Sequence, residues 1–96
     1  KYGGKMANAR NYSILNGKLN VVGNQIQKYR KDANISRQTL SDRLMIMGFD
    51  ISANSIYDIE NGTRTVVDYE ICAIAKALKI PVQNLLMDYY NSIENN

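Results

Sequence analysis

The sequence predicts an all-α fold, a compact bundle of five short helices. Two features of the 96-residue chain lead there. Apolar residues return every three or four positions, the period of a half-buried helix, and no block alternates apolar with polar as a strand would. Between the blocks stand residues that start and stop helices: Ser36, Ser52 and Asp68 ahead of them, Gly48 and Gly62 behind.

The first block, residues 21–33, places Val22, Ile26, Tyr29 or Arg30, and Ala33 on one stripe and ends at Asn34 and Ile35. Ser36 is a good N-cap for residues 37–47, where Leu40, Leu44 and Met47 share a face. Ser52 caps the third block, 53–61, with Ile56 and Ile59 inward and Gly62 where a left-handed terminator is wanted. Asp68 caps a fourth over 68–78, whose stripe is Ile71, Ile74, Ala75 and Leu78. Pro81 suits a first helical position, where its missing N–H does no harm, and 82–90 forms the fifth helix. Residues 19–90 therefore make the domain. Residues 1–18 are a flexible basic arm, of which KYGGK ahead of Met6 reads as appended, and 91–96 are a disordered tail.

Composition narrows the function. The length supports one core, and no apolar run reaches the eighteen or so residues of a membrane span. There is one cysteine and no histidine, so neither an internal disulfide nor a zinc cluster is expected. Cys72, beside Ile71, reads as a small packing residue. A reducing cytoplasm, no cofactor, no metal and no catalysis are the expectations, because no group of acids, bases or metal ligands gathers in the pattern. The net charge of +3 is concentrated at the front: residues 1–18 carry four positive charges, while 19–90 hold eight basic and eight acidic residues. Charge alone thus permits a nucleic-acid partner without announcing one.

The stretch 56-IYDIENGTRT-65 is the most informative. Its glutamate, Glu60, falls on the apolar side of a helix, and Asn61, Thr63, Arg64 and Thr65 follow the helix end with no apolar anchor. Arg30 also falls on an apolar stripe, an unusual place for a charged side chain.

These residues, in this order, resemble the helix-turn-helix domain of the Cro and phage-repressor type, the xenobiotic-response-element family. The resemblance runs from Val22 to Leu86 through 22-VGNQIQKYRKDANIS-36, 37-RQTLSDRL-44, 52-SANSIYDIENG-62 and 71-ICAIAKALKIPVQNLL-86. It implies a lambda-repressor-like bundle with the helix-turn-helix at helices two and three. It also implies that Arg30 and Glu60 form a structural ion pair between helices one and three.

In such a domain the third helix enters the major groove of double-stranded DNA. Ala53, Asn54, Tyr57 and Asp58 share the face away from Ile56 and Ile59 and are the expected base contacts. Asn54 can bind adenine through two hydrogen bonds, Ala53 can touch a thymine methyl, and Asp58 can accept from cytosine. The expected phosphate contacts are Arg37 and Gln38, at a helix N-terminus, and Asn61, Thr63, Arg64 and Thr65 in the loop. The family commonly has glutamine where Arg37 stands.

Two departures from the family matter. Leu44 is separated from Ser52 by MIMGFDI, about five residues more than the usual spacing, with Met45, Ile46, Met47, Phe49 and Ile51 expected mostly to cover core. The third helix also lacks Arg and Lys and carries Asp58, so affinity per domain should be modest. A homodimer on a two-fold operator would compensate, with Leu85, Leu86, Met87, Tyr89 and Tyr90 of the last helix as the contact. The sequence thus points to a sequence-specific transcriptional repressor. The alternative is a protein-interaction module on the same fold, an antitoxin-like or accessory partner.

Overall fold

The computed structural model describes residues 16–94. It contains α1 (Gly23–Asp32), α2 (Arg37–Ile46), α3 (Ala53–Asn61), α4 (Asp68–Leu78) and α5 (Gln83–Glu94), with no strand among the described residues. Most of the basic arm, through residue 15, lies outside the described residues.

Local chemistry sets the helix ends. The Ser36 hydroxyl accepts from the Thr39 N–H at 3.0 Å and the Ser52 hydroxyl from the Ser55 N–H at 3.1 Å, each satisfying a donor that the first turn leaves open. Four helices end alike. The chain turns left-handed at Asn34, Gly48, Gly62 and Lys79. In each case the following N–H reaches the carbonyl five residues back: Ile35 to Arg30, Phe49 to Leu44, Thr63 to Asp58 and Ile80 to Ala75. Glycine takes that conformation at no steric cost, which is why Gly48 and Gly62 are legible as stops.

α1 and α2 both pack on α3, and α4 closes the other side against α1 and α2, leaving α5 against α1. The centre is filled by Ile26, Leu40, Leu44, Ile56, Ile59, Ile74 and Leu85, all essentially without solvent contact. Truncating any one of these to alanine costs roughly 2–5 kcal/mol. The stability of α3's mount therefore comes from its inner face.

Several positions differ from expectation. Ala33 is the exposed C-cap of α1, past the turn that buries Ile26 and Arg30. Leu40 and Leu44 fill the inner side of α2, so Met45 and Ile46 point out and Met47 follows as C-cap; Ile46 is 87% exposed. Of the inserted residues only Ile51 is buried and Phe49 half-buried, and the buried Ser41 hydroxyl fastens the insertion by donating to the Ile51 carbonyl at 2.7 Å. The N-cap of α4 is Val67, whose N–H is met by the Glu70 carboxylate reaching back at 3.1 Å; Asp68 is the first helical residue. Cys72 is exposed, because Ala73, Ile74, Ala75, Ala77 and Leu78 make the buried side of α4, with Ile71 half-buried at its edge. Pro81 stands two residues ahead of α5, its carbonyl accepting from the Asn84 N–H. α5 continues to Glu94, beyond the expected stop at Tyr90.

Candidate nucleic-acid interface

α3 is held from behind by a buried ionic knot. Glu60 lies on the same side as Ile56 and Ile59, and its carboxylate has no solvent exposure. Arg30 of α1 grips it with two nitrogens, Nε to Oε2 at 2.7 Å and Nη2 to Oε1 at 3.2 Å, and spends Nη1 on the Ile35 carbonyl at 2.9 Å. The structure thus brings Arg30 and Glu60 together across two helices.

A third member was not visible in the sequence. Arg37, the first residue of α2, donates Nε to Glu60 Oε1 at 2.9 Å. Two guanidinium groups against one carboxylate leave one positive charge in excess. The Arg37 side chain is 32% exposed and that of Arg30 only 8%, so the excess is presented to solvent by Arg37. It stands at the N-terminal end of a helix, where the backbone dipole adds to it.

The C-terminal end of α3, the end that carries Glu60, is also clasped by the segment before α1, and sequence reasoning missed this. The Asn20 amide makes four hydrogen bonds. Its oxygen accepts from the Val22 and Gly23 N–H groups at 3.0 and 2.7 Å, and its nitrogen donates to the Ile59 and Arg64 carbonyls at 3.0 and 2.9 Å. The Leu19 N–H donates to the Gly62 carbonyl at 2.8 Å, and Lys18 Nζ to that of Asn61 at 3.1 Å. Carbonyls that end a helix without partners are thereby used to fix where α3 stops. The signal in the sequence was an asparagine just ahead of the first apolar block, an N-cap type of residue.

With its back and end fixed, α3 turns Asn54, Tyr57 and Asp58 to solvent, and Ala53 is half-buried beside them. Their exposure is what a groove-reading face requires. The Arg37 guanidinium lies over the Tyr57 ring, 5.0 Å from its centroid. Asn61, the last residue of α3, is exposed, as are Thr63 and Thr65 in the loop, the Thr63 hydroxyl donating to the Asp58 carbonyl at 3.2 Å. Gln38 is exposed and donates to Asp42 at 2.9 Å. Arg64 is half-buried and engaged by a carboxylate that the sequence did not assign to it: Nη1 and Nη2 meet the two oxygens of Glu70 at 3.2 and 3.1 Å.

The hydrogen bonds from Arg64 hold the Glu70 carboxyl below its ordinary value, with burial opposing and the Val67 N–H assisting. A depressed carboxylate stabilises the fold above the unfolded value near 4.5 and loses that contribution as pH falls through the folded value. Glu70→Gln should therefore be less stable than the native chain at neutral pH, and the gap should close below about pH 4.5. Thermal unfolding of both proteins from pH 7 to pH 3 checks this.

Residues 26–85 match the family model described as helix-turn-helix. The chain belongs to the helix-turn-helix family of the Cro/C1, xenobiotic-response-element type. Members of this helix-turn-helix family are DNA-binding regulatory domains, and the match spans α2, the long turn and α3 as well as α4. No curated protein and no solved structure matches the chain. Among the described residues, no group of three or more His, Cys, Asp or Glu could hold a metal ion. Nor is any helix of this helix-turn-helix domain, among those residues, long and apolar enough to cross a membrane.

Proposed function

We propose that the protein is a sequence-specific transcriptional repressor that binds a two-fold operator as a homodimer, α3 lying in the major groove. The observation that carries this reading is the solvent-facing side of α3, Asn54, Tyr57 and Asp58 with Ala53, on a helix braced by the buried Arg30–Glu60–Arg37 knot. Ala53, Asn54, Tyr57 and Asp58 contact base edges. Arg37, Gln38, Asn61, Thr63, Arg64 and Thr65 contact phosphates, with Arg37 supplying the uncompensated charge. The dimer forms through α5. Leu85 takes no part, since it is 1% exposed. Leu86, Tyr90 and Ile93 are exposed at intervals of four and three, the spacing of one helical stripe, with Met87 exposed and Tyr89 half-buried nearby.

Selection from a random duplex pool should return two half-sites related by a dyad, with an affinity that falls steeply as salt rises. Asn54→Ala should relax preference at one base pair by about 1–3 kcal/mol, the size of one bidentate contact. Arg64→Ala should weaken all sites alike and reduce the salt slope by about 0.9, one phosphate's share. A pool that emerges unenriched and a flat salt response would end this reading.

One observation favours a second reading, a protein-interaction module. Met45, Ile46 and Met47 form an exposed apolar corner at the C-terminal end of α2, ahead of the turn that leads into α3. A partner that co-purifies and covers α3 would support it.

A further inference from the structure

We propose that Tyr57 is a specificity-determining residue and that Arg37 is its positioning residue, so that the outline of the reading face is set from inside the core. The inference rests on α3 being the helix that reads DNA. An exposed tyrosine on a helix has several rotamers open to it, and Tyr57 is 51% exposed. Its ring nevertheless lies under the Arg37 guanidinium at 5.0 Å, within the range of an attractive cation–π contact.

Arg37 is not a loose surface cation. Its Nε is tied at 2.9 Å to a carboxylate with no solvent exposure, and Arg30 grips both oxygens of that carboxylate. Rigidity therefore passes from the Arg30–Glu60 pair through the plane of Arg37 to the ring. The tie uses Nε, so Nη1 and Nη2 remain as donors to a phosphate oxygen outside the protein. One side chain would thus join the backbone anchor to the base-reading ring, and the fixed ring would offer its edge and hydroxyl to a base pair in one orientation.

Arg37→Lys separates the two roles. Lysine keeps the positive charge but has neither an Nε–H to place on Glu60 nor a plane to lay on the ring. Arg37→Lys and Tyr57→Ala should each cut discrimination at the same base pair by about two- to fivefold, the size of a surface cation–π contact. The double variant should lose no more than either alone, and Arg37→Lys should leave the salt slope unchanged. Tyr57 is exposed and Arg37 half-buried, both substitutions leave the Arg30–Glu60 pair intact, and a thermal melt of each checks folding.

A second readout needs no DNA. The Tyr57 χ1 couplings in the free protein should report one rotamer in the native chain and an average in Arg37→Lys. Additive losses, equal weakening of every sequence, or unchanged couplings would overturn the proposal while leaving the DNA-reading role of α3 in place. A native protein that enriches no sequence would instead remove that role, and this inference with it.

Discussion

Glu60→Ala should lower the midpoint of thermal unfolding by roughly 12–40 °C. The carboxylate accepts three hydrogen bonds, two from Arg30 and one from Arg37, and solvent reaches none of it. Its removal leaves the Arg30 guanidinium, whose side chain is 8% exposed, as an uncompensated charge inside the protein. Breaking a buried pair in this way costs about 3–5 kcal/mol, and each kcal/mol moves the midpoint of a domain this size by about 4–8 °C. That is a large part of the roughly 5–15 kcal/mol that holds a small domain together. The cost lies in the orphaned charge, not in the lost attraction. Accordingly the double variant Arg30→Met with Glu60→Met should recover most of the loss, because apolar groups of similar size can replace a buried pair at little cost. Arg37, with its side chain 32% exposed, then turns to water. Calorimetry on the two variants decides it: a loss under about 1 kcal/mol for Glu60→Ala would show that α3 is mounted by its apolar contacts alone, whereas a full loss with no recovery in the double would show that the attraction within the pair, not the orphaned charge, carries the cost.

The parts legible in the sequence are those that local chemistry dictates. Helix order follows from apolar spacing, and the starts at Ser36 and Ser52 from hydroxyls that accept an N–H three residues on. Arg30 and Glu60 were legible as charges on apolar stripes. What could not be read depends on approach between distant segments. The Arg37 bond to Glu60 spans 23 positions, and the Asn20 bonds to the end of α3 span 39 and 44. No local pattern marks such contacts. The Glu70 partner of Arg64 escaped for a different reason, since a glutamate near a helix start also reads as a plain first-turn charge. Met45 and Ile46 were misplaced by composition, and Met47 by a spacing that continues past the end of α2. Apolar type suggested core, whereas the inner side of α2 was already filled by Leu40 and Leu44.

Gly23→Ala should also destabilise strongly, against the usual trend. Within a helix, alanine in place of glycine normally stabilises by up to about 1 kcal/mol, and Gly23 is the first residue of α1 with an ordinary helical backbone. Here, however, a Cβ would overlap the Ile59 carbonyl oxygen and come within 3.0 Å of that of Glu60. Both obstacles are backbone. The Ile59 carbonyl is also bound by Asn20, and Glu60 is pinned by two arginines, so neither can retreat without opening the clasp or the knot. Overpacking of this kind costs about 1–3 kcal/mol or more, roughly 5–20 °C in the midpoint. Gly48→Ala separates steric overlap from conformational strain. Its Cβ would meet nothing within 4 Å, yet its φ of +94° is unfavourable for alanine, a cost of about 1–2 kcal/mol borne locally. Gly48→Ala should therefore leave amide exchange in α3 near native, whereas Gly23→Ala should speed exchange from Ile59 to Arg64, where the clasp sits. Unchanged or greater stability in Gly23→Ala would mean that α1 does not press on the end of α3, and that the clasp and the knot leave the Ile59 and Glu60 carbonyls free to retreat.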